Sequence, residues 1–178
     1  MNRFVDLNLS FLGWPHTVAC VAAMAAFFPV MFARKGSAAH QSWGHVYALT
    51  YAVACVSSLG IYQLHKFWFP HWLAIGGIVV LASGYLAARY KPRGWRYIHL
   101  TGMLLSASNL FGGAVNEVFL RIKPLRAMAG DNILASPIVG LIQGVIGQLF
   151  IILIVVYAVL TRVRSRRSRR PLIEETVR

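Results

Sequence analysis

Acidic residues, cysteines and charged side chains in general are scarce in this chain of 178 residues. Asp and Glu together number 5, and 13% of all residues are charged, whereas 57% are hydrophobic. A typical soluble domain carries about 25% charged residues, so this composition excludes a water-soluble globular protein. Because carboxylates are so few, the paired acids of glycosidase-type and related acid–base sites are excluded as well.

Other familiar sites are also missing. The two cysteines, Cys20 and Cys55, both fall within apolar stretches and form no CxxC or Cys/His spacing, which excludes a disulfide framework and a zinc ribbon. We interpret them as packing residues. No serine has His and Asp partners at a recognisable spacing, and the Gly-Gly pairs lie inside apolar stretches rather than in phosphate-binding loops.

Long apolar runs are what the chain has in abundance. Five of them approach or exceed about 20 residues, the length that crosses the hydrocarbon core of a bilayer. They cover residues 13–33, 42–64, 71–88, 97–120 and 136–160. The first run lacks the charge asymmetry of a cleaved signal peptide, because basic residues follow it and Asp6 offsets Arg3. The sequence therefore predicts an all-α integral membrane bundle.

The connections between the runs predict how the helices are arranged. Those after runs one, two and three are short, so successive helices are expected to be antiparallel neighbours in a four-helix up-down core. The fifth run carries Gly140-x-x-x-Gly144, a small-xxx-small motif that favours close helix contact in lipid. We interpret it as an added packing helix or the contact of a homodimer. Residues 1–164 form one membrane domain, and residues 165–178 a mobile basic tail.

Positive charge is unevenly distributed along the chain, whose formal net charge is +13. Most of it follows runs one, three and five, which end on the same side of the membrane when helices alternate in direction. These residues are Arg34, Lys35, Arg89, Lys91, Arg93, Arg96, Arg162, Arg164, Arg166, Arg167, Arg169 and Arg170. Since basic residues favour the cytoplasmic side, we expect the N-terminus outside and the C-terminus inside. Three basic residues oppose this orientation, because it places the 121–135 connection outside: Arg121, Lys123 and Arg126. The basic tail is expected to contact anionic lipid rather than nucleic acid.

Each of the first four runs begins near a histidine that stands beside an aromatic residue. An ionisable side chain within an apolar span is costly and is a functional candidate for that reason. Alternating helices assign the four histidines to two depths: His16 and His71 to an outer layer, His45 and His99 to an inner layer. Because helices one and three, and helices two and four, are diagonal in an up-down bundle, each layer holds two opposed imidazoles.

Opposed neutral imidazoles are the axial ligands that a haem iron needs. The two layers are separated by about 14 residues of helix, or roughly 20 Å, so two haem b groups held by His16 with His71 and by His45 with His99 would carry electrons across the membrane. A quinol or a soluble protein would be the donor. Small residues follow each histidine at helical spacing, which suits a porphyrin but also suits ordinary helix packing.

Several alternatives remain open on the sequence alone. Aromatic residues at helix ends form an interfacial belt without any cofactor, and the protein would then be a structural subunit of a larger complex. The four histidines would also suit a membrane protein that binds a non-haem metal or a small ligand of the quinone type. For a metal, His65 at the outer end of run two would make a third outer ligand for Zn or Cu. His40 is expected in a water-exposed loop. Glu117, the one acid within a run, is interpreted either as the partner of Arg121 or as a proton relay.

Two resemblances add to these inferences. The segments Lys35-Gly36-Ser37-Ala38-Ala39-His40 with Gly44-His45-Val46-Tyr47, and His99-Leu100-Thr101-Gly102-Met103 with Asn116-Glu117, resemble an uncharacterised family of bacterial multi-pass membrane proteins over residues 12–120. Gln41 departs from that family, which usually has a basic residue there. The resemblance implies a protein of the bacterial inner membrane. The histidine layout is also similar to that of di-haem cytochromes b, including the ascorbate-reducible kind, which implies the same four haem ligands.

Overall fold

The computed structural model describes residues 11–61, 69–130 and 132–176, with side chains as far as residue 161. Over these ranges the secondary structure is helical, which confirms the predicted all-α class. The α-helices are α1 (Gly13–Phe32), α2 (Ala38–Leu59), α3 (Phe69–Tyr90), α4 (Trp95–Arg121), α5 (Lys123–Ala129) and α6 (Pro137–Thr176), and a 3-10 turn at Ile133–Ala135 precedes α6.

Four helices are long and apolar enough to cross a membrane: α1, α3, α4 and the Pro137–Thr161 part of α6. The chain is therefore a membrane-embedded helical protein. The remaining predicted span, α2, has 22 residues but falls outside this set because it is richer in polar residues. Several of its hydroxyls bond back to their own helix, such as Thr50 to the Val46 carbonyl at 2.7 Å and Ser57 to the Val53 carbonyl at 2.7 Å. This pairing lowers the cost of placing them in lipid.

The first four long helices form a closed ring. α1 packs along α2, α2 contacts α3, α3 packs along α4, and α4 contacts α1. This order leaves α1 diagonal to α3 and α2 diagonal to α4, as an up-down bundle requires. α6 packs on the outside of α4. The predicted four-helix core with one added helix is thus present. A Cβ added at Gly140 or Gly144 would meet no neighbour within 4 Å, so neither glycine makes a close contact with another helix among the described residues.

The start of α2 differs from the sequence prediction by four residues. Ser37 caps the helix, since its side chain accepts a hydrogen bond from the backbone N–H of His40 at 3.2 Å, and a serine N-cap satisfies a donor that would otherwise be orphaned. The preceding Gly36 has a φ of +84°, a value that glycine adopts without strain. His40 therefore lies in the first turn of α2, half-buried, and not in a water-exposed loop.

The 121–135 connection is more ordered than a plain loop. Its helix α5 and the 3-10 turn fold against the ends of α4 and α6, where Phe119, Ala129, Ile133 and Val139 form a small buried cluster. The connection therefore covers the α4–α6 side of the bundle. At the other end, α6 continues as a helix to Thr176 and so includes most of the basic tail that begins at residue 165. Arginine is a good helix former, which accounts for the extension.

Candidate functional site

His99, in the second turn of α4, is anchored to the neighbouring helix α3. Its Nδ1 lies 2.9 Å from the carbonyl oxygen of Gly84. Because a carbonyl only accepts, the ring donates through Nδ1–H and its Nε2 carries the lone pair. The contact is possible because α3 and α4 nearly touch there: a Cβ on Gly102 would lie 2.7 Å from the Cα of Gly84. The imidazole is held in one tautomer at the point where α3 and α4 meet through two glycines, Gly84 and Gly102.

His40 is the histidine that the structure brings next to His99. The two ring centres are 6.4 Å apart, and the ring planes are almost perpendicular, at 85°. The Nδ1 of His40 lies 3.1 Å from the carbonyl oxygen of Val30 in α1, so this ring also donates through Nδ1 and presents Nε2 as an acceptor. Two imidazoles from α2 and α4, each oriented by a different neighbouring helix, therefore meet at this end of the bundle.

His45, the predicted inner partner of His99, is directed elsewhere. It is an exposed residue, and its ring contacts that of Tyr85 on α3, with ring centres 5.8 Å apart. His40 and His45 are five residues apart on one helix, which places them about 140° apart around its axis. They consequently face different surroundings, and His40 is the one that faces His99.

His16 lies at the opposite end of the bundle, against α2. Its Nδ1 is 2.8 Å from the carbonyl oxygen of Ala54 and 3.4 Å from the hydroxyl of Ser57. The thiol of Cys20, one turn further along α1, is 3.6 Å from Nε2. This ring again donates through Nδ1 to a main-chain carbonyl of a neighbouring helix. Of the two predicted outer ligands, His16 therefore faces an adjacent helix rather than the bundle diagonal.

His71 is the other predicted outer ligand, and it is the most buried of the described histidines, with 5% of its surface exposed. It lies in the first turn of α3, at the end of the bundle where α1 begins, so it shares a level with His16. The suggested third outer ligand, His65, lies outside the described residues. The two predicted outer ligands thus lie at the same end of the bundle. His16 faces α2, and His71 lies in the interior.

A buried polar network occupies the middle of the bundle, between the two histidine levels. Tyr47 and Ser106 share a hydrogen bond of 2.8 Å, and the amide of Asn109 donates to the Tyr51 hydroxyl at 2.9 Å and to the Leu73 carbonyl at 3.0 Å. The two tyrosine rings are stacked, with centres 5.9 Å apart and planes 9° apart. The network links α2, α3 and α4 across the core.

Both tyrosines are buried, at 1% exposure for Tyr47 and 2% for Tyr51. The hydrogen bonds of their hydroxyls were not predicted from the sequence. A signal was present: two tyrosines four residues apart on α2, and Ser106 and Asn109 three residues apart on α4, each form one polar helical face. Polar groups inside a membrane bundle are expected to find partners of this kind.

The small residues that follow the histidines mostly form helix contacts. Ala23 and Ala107 are completely buried, and Gly102 lies against Gly84 as described above. Gly44 is different, because a Cβ added there would meet nothing within 4 Å. It follows His40 by one helical turn, so the same face of α2 is open next to that ring.

Charged side chains are arranged differently at the two ends. Near His40, the Lys35 ammonium donates to the carbonyls of Val30 and Met31 at 2.9 and 2.8 Å, and burial lowers the pKa of Lys35. At the opposite end of the bundle, Arg121 Nε is 2.8 Å from Glu117 Oε2, which confirms the predicted ion pair. The Val30 carbonyl near His40 accepts hydrogen bonds from both Lys35 and His40.

Comparison with protein-family models, with curated proteins and with solved structures finds no match for this chain. Among the residues that the structure describes, no group of three or more His, Cys, Asp or Glu side chains is arranged to hold a metal ion. The donor set that the fold brings together is a pair of imidazoles. The chemistry of that pair, in a helical membrane protein, is the basis for the functional argument.

Proposed function

We propose that this protein is a membrane-embedded haem protein of b type that passes electrons within or across the membrane. The observation that carries the proposal is the orientation of histidines at both ends of one bundle. His16 and His99 each donate Nδ1–H to a main-chain carbonyl of a neighbouring helix. Such a bond fixes the tautomer and ring orientation and raises the basicity of Nε2, as is usual for metal-ligating histidines.

The donor set favours haem over a bare metal ion. Zn and similar ions usually take three or four protein ligands, whereas the porphyrin of a b-type haem supplies the equatorial nitrogens, so that two axial imidazoles complete the site. Haem iron supplies one-electron chemistry when bound. The protein's own contribution is to orient the imidazoles, exclude water and supply a low-dielectric surrounding, which tunes the potential. A quinol or a soluble protein remains the expected donor.

The distance between the two levels suits electron transfer through the membrane. Ala54, whose carbonyl holds His16, and His40 are 14 residues apart on α2. At about 1.5 Å per residue this is about 21 Å along the helix axis. Residues at each level would therefore hold one cofactor, with the two sites about 21 Å apart along the bundle.

Absorbance spectra of the purified protein test the proposal directly. After expression with adequate haem supply, we expect a Soret band and a reduced-minus-oxidised difference spectrum of a six-coordinate b-type haem. A correctly folded, monodisperse protein without a Soret band would contradict the proposal. Elemental analysis of the same sample separates the alternative, because stoichiometric Zn or Cu without haem would indicate a non-haem metal protein.

We further propose that α2 spans the membrane, with the N-terminus outside and the C-terminus in the cytoplasm of a bacterial inner membrane. The support is that α2 is as long as α3, at 22 residues each, and that basic residues cluster on the expected inner side. An odd number of spans puts the termini on opposite sides, whereas the four apolar helices alone would put them on the same side.

Terminal reporters distinguish these topologies. We expect an alkaline phosphatase fused to the N-terminus to be active and a green fluorescent protein fused to the C-terminus to fluoresce, since the first requires the outside and the second the cytoplasm. A phosphatase placed within the 121–135 connection serves as the outside control. Reporters that locate both termini on one side would show that α2 does not cross the bilayer.

A further inference from the structure

We propose that His40 and His99 are the two axial ligands of the haem at the inner end of the bundle. This inference depends on the proposed function and assigns the ligands of one of its sites. It differs from the sequence-based pairing of His45 with His99, because His40 lies in α2 and not in a loop. Four features of the pair support the assignment: the spacing of the rings, their tautomers, the open surface beside them and the charge at this end of the bundle.

The spacing of the two rings matches a linear imidazole–metal–imidazole unit. In such a unit each ligating nitrogen lies about 2.0–2.1 Å from the metal and each ring centre about 1.1 Å behind its nitrogen, so the ring centres are about 6.3 Å apart. The observed separation of the His40 and His99 ring centres is 6.4 Å.

The tautomers of the two rings are also those of ligands. Each ring uses Nδ1 to donate to a main-chain carbonyl, His40 to Val30 on α1 and His99 to Gly84 on α3. Both Nε2 atoms are left as lone-pair donors, the form that binds iron. Because the carbonyls belong to helices other than those bearing the histidines, packing of all four helices holds the pair, which is a preorganised arrangement.

The surface of α2 next to the pair is open at Gly44. Gly44 follows His40 by one turn, and a Cβ there would meet no atom within 4 Å. A larger residue at this position would project into the space beside the His40 ring, because residues four apart lie on the same helix face. Gly44 therefore leaves a surface open where a porphyrin edge would lie.

The charge at this end suits the two carboxylates of haem b. Six cations lie on the connections and helix ends at this end of the bundle: Arg34, Lys35, Arg89, Lys91, Arg93 and Arg96. Lys35 is linked directly to the pair, because its ammonium and the His40 ring both donate hydrogen bonds to the Val30 carbonyl. A haem carboxylate near these cations would form an ion pair. An unpaired charge inside the membrane would instead carry a large free-energy cost.

Three single variants test the assignment against its sequence-based rival: His40→Ala, His99→Ala and the matched control His45→Ala. We expect His40→Ala and His99→Ala each to halve the haem-to-protein ratio, or to convert the inner haem from six-coordinate low-spin to five-coordinate high-spin. His45→Ala should keep the full ratio and the low-spin spectrum. Haem is quantified as the pyridine haemochrome, and the spin state by electron paramagnetic resonance.

Rescue by added imidazole shows that the loss is one of ligation. Imidazole is expected to restore the low-spin spectrum of His40→Ala, which a merely misfolded protein would not do. As a second probe that leaves both histidines in place, Gly44→Leu should lower haem content while the helical circular dichroism spectrum is unchanged.

The outcomes distinguish a failure of haem binding from a failure of the His40–His99 assignment. Wild-type protein without haem overturns the proposed function. Wild-type protein that binds haem, with loss in His45→Ala and none in His40→Ala, overturns the His40–His99 assignment and leaves haem binding intact. Retention of both haems as low-spin species in His40→Ala overturns the assignment equally. Loss in His40→Ala and His99→Ala, with imidazole rescue and an unaffected His45→Ala, supports it.

Discussion

Replacing Gly102 with alanine is expected to destabilise the bundle by about 1–3 kcal/mol, the usual cost of forcing extra atoms into a packed core. The added Cβ would lie 2.7 Å from the Gly84 Cα, 2.8 Å from the Gly84 nitrogen and 2.8 Å from the Val80 carbonyl oxygen. These are backbone atoms of α3, so the clash is relieved only by moving one helix away from the other. The same movement would lengthen the hydrogen bond from His99 to Gly84.

A matched control is available on the same helix. A Cβ added at Gly113 of α4 would meet nothing within 4 Å, and alanine is the better helix former by about 1 kcal/mol, so Gly113→Ala should be neutral or slightly stabilising. The thermal midpoint of each variant, followed by tryptophan fluorescence in detergent, gives the comparison. Equal midpoints for Gly102→Ala and wild type would show that α3 and α4 do not approach each other as closely as described.

Replacing Asn109 with leucine is expected to cost about 1–2 kcal/mol. Asn109 donates to both the Tyr51 hydroxyl and the Leu73 carbonyl, and its loss removes a partner from the buried Tyr51 hydroxyl. The cost should be lower than in a soluble core, because polar groups in membrane helices find other partners when the bundle opens. Ser83→Ala is the control, since the Ser83 hydroxyl bonds only to its own helix at Val80 among the described contacts.

A double-mutant cycle isolates the bond itself. Tyr51→Phe keeps the stacked ring and removes the hydroxyl, so Asn109→Leu should cost less in that background by the coupling energy, about 0.6–1.7 kcal/mol for polar pairs in membrane bundles. Unfolding by sodium dodecyl sulfate, followed by helical circular dichroism, measures the four free energies of unfolding. Strictly additive effects would mean that Asn109 and Tyr51 do not interact across α2 and α4.

The positions of the long helices were predictable because hydropathy is a local sum over about 20 residues. Gly13–Phe32 ends within one residue of its predicted boundary, and Trp95–Arg121 begins two residues before its own. The start of α2 was predicted less well, since apolar runs do not register an N-cap. The Gly36-Ser37 pair would have located it, as serine is a preferred N-cap residue and a helix starting at Ala38 includes His40.

The pairing of the histidines was less accessible from sequence, because it depends both on where α2 begins and on how that helix is rotated. A helix turns about 100° per residue. A small error in which face of α2 is taken to point inward therefore changes whether His40 or His45 is expected to face the interior of the bundle. His45 carried the stronger sequence pattern, beside Trp43, yet it contacts Tyr85, and His40 approaches His99. The outer histidines show the same limit, because His16 bonds to α2 rather than facing the diagonal helix.

The amino-acid sequence alone determined that this chain is an all-α membrane protein, that its helices follow one another as antiparallel neighbours and that its histidines lie at two depths. Each of these follows from the length, spacing and hydropathy of segments, which are local properties. Only the tertiary structure decided which imidazoles meet, that Tyr47 and Tyr51 bond across the core, and that α3 and α4 touch at Gly84 and Gly102. Those contacts depend on helix rotation and on close packing between residues distant in sequence.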